Sequence, residues 1–148
     1  MLGGYTARQD VKLDFFKELS QKGLAANLRW FPKIAYSDIA AIYKMAGKSG
    51  GGLIVTSKDE SFGMVVAEAM LCFCPVLVNK VGALPELVKH AKTGWLHDNS
   101  FRSLSNCLAD IKDKEKRRKV CEQANELIKA EYSLEKVGAL FKKLVQSG

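Results

Sequence analysis

Eighteen consecutive residues, Ser61-Phe-Gly-Met-Val-Val-Ala-Glu-Ala-Met-Leu-Cys-Phe-Cys-Pro-Val-Leu-Val78, carry one charge between them, that of Glu68. A chain with such a segment must bury most of it, and the carboxylate then needs a partner. An unpaired buried charge costs free energy on the scale of a domain's whole stability. No Lys or Arg stands near Glu68 in sequence, so its partner is either a distant cation or something that is not protein. The run is short for a membrane span, which takes about 20 apolar residues, and Gly63, Glu68 and Pro75 interrupt it.

Around this run the apolar pattern changes period repeatedly. Thr6 with Gln9 has the form of a capping box, and Val11, Phe15 and Leu19 recur at helical spacing to about Lys22. Asn27–Phe31 alternates and stops at Pro32, which predicts a short strand. Ser37 is expected to cap a helix that buries Ile39, Ile42, Tyr43 and Ala46. Gly50-Gly-Gly52 precedes an apolar strand at Leu53–Thr56. These glycines come before the strand, so they are a loop rather than a dinucleotide fingerprint, which follows one.

A turn at Ser57–Phe62, a helix over about Gly63–Phe73 and a strand at Pro75–Val78 come next. Gly82–Glu86 is a second turn into a short helix, and Thr93–Leu96 a last brief strand. Ser100 caps a helix with Phe101, Leu104, Leu108 and Ile111 inward. Another runs from about Asp113 to Ala130, and Ser133 starts a last one with Leu134, Val137, Leu140, Phe141 and Leu144 on one stripe. Strands alternating with helices mean a parallel α/β sheet, here closing with C-terminal helices. With 148 residues and no linker or repeat, one domain over 1–148 is expected.

The cysteines are Cys72, Cys74, Cys107 and Cys121. Cys72-x-Cys74 lacks a second close pair, and His90 and His97 lie outside ligand spacing, so buried reduced thiols are favoured over a metal site. No signal-peptide pattern opens the chain, which reads as cytosolic, with peripheral membrane association as an open addition. The net charge of +7 is uneven: residues 112–119 hold six bases and two acids. Such a run is a solvated helix start or a contact for an anionic membrane surface. No aromatics interleave with it, which argues against nucleic acid.

Ligands of open parallel sheets bind beyond the carboxyl ends of the strands. Two loops there carry chemistry: Lys58-Asp-Glu-Ser-Phe-Gly63 and Asn79-Lys-Val-Gly-Ala-Leu-Pro-Glu86. Each offers a glycine at a turn and free amides at a helix start, which is equipment for holding a phosphate. Glu68 lies on the helix that the first loop opens, about one and a half turns in. There it can accept hydrogen bonds from two neighbouring hydroxyls, as a ribose presents them, or belong to a core salt bridge.

Glu60-Ser-Phe-Gly-Met-Val-Val-Ala-Glu68, Pro75-Val76, Gly82-Ala-Leu-Pro-Glu86 and Thr93-Gly94, in that order and at those intervals, resemble the donor-binding lobe of the group 1 (family four) retaining glycosyltransferases. The resemblance covers most of the chain. It implies a Rossmann-like lobe of the two-lobed GT-B architecture that binds a nucleoside diphosphate sugar and needs no metal or other cofactor. It implies that Glu60 contacts the donor hexose near the reacting carbon and that Phe62 and Gly63 bring backbone amides to the sugar and phosphates. Glu68 would hold the ribose hydroxyls, and Gly82, Ala83 and Leu84 would give amides to the diphosphate. The chemistry implied is hexosyl transfer with retained configuration to a glycan, lipid-linked or small-molecule acceptor, through stabilised charge on the departing diphosphate.

Two residues depart from the family pattern. Phe73 stands where a glycine is usual, and Ala83 replaces the second glycine of the phosphate turn. The resemblance also places upstream of this chain an acceptor-binding lobe, a first strand and the basic clamp on the diphosphate, for which Lys58 and Lys80 are the nearest substitutes. These departures leave an alternative: a non-catalytic α/β module whose basic helix docks on a membrane or protein partner.

Overall fold

In the computed structural model, residues 9–31, 33–133 and 136 are described. The chain forms two compact units, Met1–Ile39 and Ala40–Gly148. In the first, helix α1 (Gln9–Gln21) is followed by a 3-10 turn at Ala25–Asn27. The rings of Phe15 and Phe16 lie 6.3 and 5.9 Å from that of Trp30, with the Lys12 ammonium over the indole. The predicted strand at 27–31 does not form. Asn27 closes the 3-10 turn, and Trp30 packs on the two phenylalanines instead of joining a ladder. Thr6 lies outside the described residues.

Helix α2 (Tyr36–Lys48) leads through the glycine loop to strand β1 (Leu53–Val55). Its first turn already includes Ser37, which is therefore inside the helix rather than at its N-cap, and its hydroxyl donates to the Asp38 carboxylate. Of the four residues expected on its buried face, only Tyr43 is buried; Ile39, Ile42 and Ala46 are half-buried. Helix α3 (Met64–Leu71), strand β2 (Val76–Asn79), helix α4 (Leu84–Leu87) and strand β3 (Trp95–His97) complete the alternation. Among the described residues the sheet has three parallel strands in the order β1-β2-β3. Leu53 is registered with Val76, and Leu77 with Trp95. All four residues of β2 are buried, as the central strand of a parallel sheet covered on both faces requires.

Helices α5 (Phe101–Lys112) and α6 (Lys114–Glu131) follow. Ser100 caps α5 as expected, accepting from Ser103 N at 3.1 Å, and Asp113 caps α6 through Glu115 N and Lys116 N. Half of the expected inward stripe of α5 holds: Ile111 is buried and Leu104 packs on the core, whereas Phe101 is 88% exposed and Leu108 40%, and Cys107 is buried instead. Cys107, Ile111 and Val120 join Leu77 and Trp95 in one core cluster. Trp95 fixes this register by donating its indole N–H to Asp110 Oδ2 at 3.2 Å. The last helix expected, from Ser133 through Leu144, falls almost wholly outside the described residues. No helix among the described residues is long and apolar enough to cross a membrane.

Among the described residues, three of the six bases at 112–119 are paired with carboxylates. Lys116 pairs with Asp110 at 2.7 Å, Arg118 with Glu115 and Glu122, and Lys119 with Glu115 at 3.8 Å. Arg117 donates to the Ile111 carbonyl at the end of α5. All four cysteines are free thiols, and among the described residues no cluster of ligating side chains could hold a metal ion.

Candidate functional site

The carboxyl ends of β1 and β2 open into the two loops singled out in the sequence, and those loops are fastened to each other. Ala83 N donates to the Glu60 carbonyl at 3.1 Å. Below that contact, Asn79 at the end of β2 donates its side-chain N–H to the Ser57 carbonyl. The Asn79 side-chain oxygen is buried and has no hydrogen-bond partner among the described residues.

Two glycines make this close approach possible. Gly82 has φ +49°, and a Cβ there would lie 2.0 Å from the Glu60 carbonyl oxygen. Gly63 has φ +83° at the N-cap of α3, and its Cβ would lie 2.8 Å from the Leu84 side chain. Any other residue would meet both left-handed backbone strain and a collision at these positions.

The amides of the site are partly spent. Gly63 N donates to Glu60 Oε1 at 3.2 Å, so the glutamate carboxylate sits over the start of α3, where a helix favours an anion. Leu84 N donates to the Val81 carbonyl at 3.1 Å, and the Leu84 side chain is fully buried. Of the three amides expected for the diphosphate, those of Ala83 and Leu84 are therefore bonded within the protein. Gly82 N makes no hydrogen bond among the described residues. The Phe62 ring is half-exposed and meets Tyr132 edge to face at 5.6 Å.

The structure thus brings Glu60, Gly63, Gly82, Ala83 and Leu84 together, with Phe62 at the rim. Glu68 lies further along α3, half-buried, with the Tyr43 hydroxyl of α2 near enough to feel its charge. None of the ion pairs among the described residues involves Glu68. Burial, reinforced by the adjacent Glu68 charge, pushes the Tyr43 hydroxyl up to about 12. Tyr43 was legible only as a core residue of an apolar stripe. The signal for more was that a buried tyrosine hydroxyl needs a partner as much as a carboxylate does.

Of the two lysines nearest the site, Lys80 lines a cavity of about 310 Å³ beside β3 and α5 with His90 and Asp110. Lys58 is exposed.

Comparison with known proteins settles the family. Residues 3–127 match the sequence profile of the glycosyl transferases group 1. The chain belongs to that family. Among curated relatives, N-acetyl-alpha-D-glucosaminyl L-malate synthase of Bacillus anthracis is 32% identical over 87 residues, 57% of this chain and 23% of the relative. D-inositol 3-phosphate glycosyltransferase of Mycobacterium tuberculosis is 35% identical over 74 residues, 50% of this chain and 15% of the relative.

Among solved structures, the C-terminal domain of the group 1 glycosyl transferase LpcC from Francisella tularensis superposes with a TM-score of 0.71 at 27% identity, over 85% of this chain and 64% of that one. HepE of Anabaena, solved with UDP and glucose, superposes with a TM-score of 0.83 at 22% identity, over 99% of this chain and 39% of HepE. The fold is therefore that of one lobe of a GT-B glycosyltransferase, and this group 1 chain spans less than a quarter of the length of these curated relatives.

Proposed function

We propose that this group 1 chain is the donor-binding lobe of a retaining hexosyltransferase and takes a nucleoside diphosphate sugar between the loops after β1 and β2. The observation that carries the reading is Glu68, a half-buried carboxylate on the helix leading from the site, with the Tyr43 hydroxyl beside it and no ion pair among the described residues. A carboxylate has about four acceptor positions, so a single hydroxyl leaves it able to accept from the two hydroxyls of a ribose. HepE, which shares the fold, has been solved with UDP-glucose.

In this reading Glu60 acts at the hexose. Its carboxylate covers Gly63 N in the structure, which is where the resemblance calls for donor phosphates or sugar. Donor binding then requires Glu60 to leave Gly63 N and turn to the sugar, freeing that amide. Gly82 N supplies the open amide of the second loop. The Phe62 amide adds to these, while Ala83 and Leu84 act through position: they hold the turn against Glu60 and Gly63. No metal takes part; charge on the leaving diphosphate is met by amides fixed in advance, and Lys58 is the cation within the first loop. Transfer is completed with an acceptor-binding lobe, on the same polypeptide or a separate subunit. Three of the six bases at 112–119, Lys116, Arg118 and Lys119, are paired with carboxylates, which halves the charge that the run offers to the alternative of a docking module.

The test is titration calorimetry of this chain with uridine, guanosine and adenosine diphosphate sugars. One of them should bind, and Glu68→Gln should abolish that binding with the fold intact by circular dichroism. Failure of every nucleotide sugar to bind well-folded protein would remove the reading.

A further inference from the structure

At the opposite end of the sheet from the donor loops, before the amino ends of β1 and β2, the second unit has a cavity of about 510 Å³. The end of α2, the end of α3 and the first turns of α6 form it. Its lining carries five basic side chains and one carboxylate, that of Glu122. Glu122 is already engaged by Arg118, which Glu115 also holds. Arg117 donates one N–H to the Ile111 carbonyl. Lys44, Lys48 and Lys114 make no ion pair among the described residues, so three unneutralised ammonium groups from two helices converge on one concavity. Charges of one sign in a cleft raise the local concentration of their counter-ion.

Phe73 stands at this cavity and is independently anomalous. It follows α3 with φ +55° and is half-exposed. Phe73 N donates to the Met70 carbonyl at 3.2 Å and Cys74 N to the Ala69 carbonyl at 3.0 Å. Those two bonds make Phe73 the left-handed residue of a Schellman motif, a position glycine fills without strain. A phenylalanine there accepts strain at the backbone while leaving half of its ring in water. Strained positions are retained where something else over-determines them.

We propose that this cavity binds a phosphate-bearing ligand with an apolar part: the phosphate among Lys44, Lys48 and Lys114, the apolar part against the Phe73 ring. That chemistry belongs equally to a free phosphorylated molecule and to an anionic lipid headgroup. The site is separate from the donor loops and does not depend on the function proposed for them.

The experiment is amide NMR of the 148-residue chain, titrated in one arm with sodium pyrophosphate and in the other with vesicles of phosphatidylglycerol in phosphatidylcholine. Pyrophosphate should shift the amides of Lys44, Lys48, Phe73 and Lys114 saturably, and the double substitution Lys48→Ala/Lys114→Ala should weaken it at least tenfold. Vesicle broadening of the same amides, lost in Phe73→Gly, would assign the ligand to a lipid headgroup; saturation by pyrophosphate without vesicle binding would assign a free molecule. Phe73→Gly should also raise the Tm, because it relieves the left-handed backbone. The proposal is overturned if pyrophosphate shifts only the loops at 57–63 and 80–84 and vesicles shift nothing. It is equally overturned if Phe73→Gly lowers the Tm, which would make the ring a packing residue.

Discussion

The Tyr43 hydroxyl, on α2, lies beside the Glu68 carboxylate, on α3, whose charge adds to burial in holding the hydroxyl protonated. The lone charge in the apolar run thus has a polar neighbour and no ion pair among the described residues. Removing this buried hydroxyl in Tyr43→Phe should lower the unfolding free energy by about 1 kcal/mol in urea titrations. A double-mutant cycle with Glu68→Gln should return a coupling of at least about 1 kcal/mol. Additive effects would show that the two side chains do not cooperate.

Alkaline stability follows from the buried acids. Burial raises Cys74 and Cys121 to about 11 each, and Tyr43 to about 12. In the unfolded chain these groups lose their protons near ordinary values, about 8.5 for cysteine and about 10 for tyrosine. Between the unfolded and folded values the unfolded state binds fewer protons, so rising pH favours it. The contribution of these groups is complete below about pH 8.5. It should decline first through the thiol window and then through the tyrosine window towards pH 12. Urea midpoints measured from pH 7 to pH 12 check this, and Tyr43→Phe should flatten the later part of the decline.

Gly82→Ala should be severe for its size. Left-handed backbone at a non-glycine residue costs about 1–3 kcal/mol, and the new methyl must also displace the Glu60 carbonyl. Destabilisation beyond 2 kcal/mol, together with loss of nucleotide-sugar binding, is expected from calorimetry. An alanine variant as stable as the parent would mean that the two loops are not held in this way.

Asn79 offers a contrast within one residue. Asn79→Ala removes a hydrogen bond to Ser57 but also deletes a buried unpaired acceptor, whose burial costs about 1–3 kcal/mol. The two effects oppose, and the net change should be within about 1 kcal/mol. Asn79→Asp instead buries a carboxylate facing a carbonyl and should be clearly the worse of the pair at neutral pH, recovering as the pH falls.

The parallel sheet, the two loops and the capped starts of α5 and α6 were legible because each has a local cause: short apolar runs, glycines at turns, and Ser100 and Asp113 at helix entries. What was not legible depends on partners distant in sequence. Asn27–Phe31 alternates like a strand, yet Trp30 finds Phe15 and Phe16. The stripe of α5 was legible at Leu104 and Ile111 but not at Cys107, which turns inward in place of Leu108 where Asp110 answers the indole of Trp95, 15 residues away. In the site, the motif located the residues but not which amides are already occupied. Leu84 N is bonded within its own turn and Ala83 N to the Glu60 carbonyl of the other loop, neither of which residue types alone determine.

The bond from Ala83 to Glu60, with Asn79 bridging to Ser57 beneath it, removes a degree of freedom. Neither segment can swing without dragging its neighbour, so a lid that folds down over an incoming molecule is not available from either one. Adaptation at this end of the sheet is left to side-chain rotamers, chiefly that of Glu60, and to displacement of the paired segments as one piece.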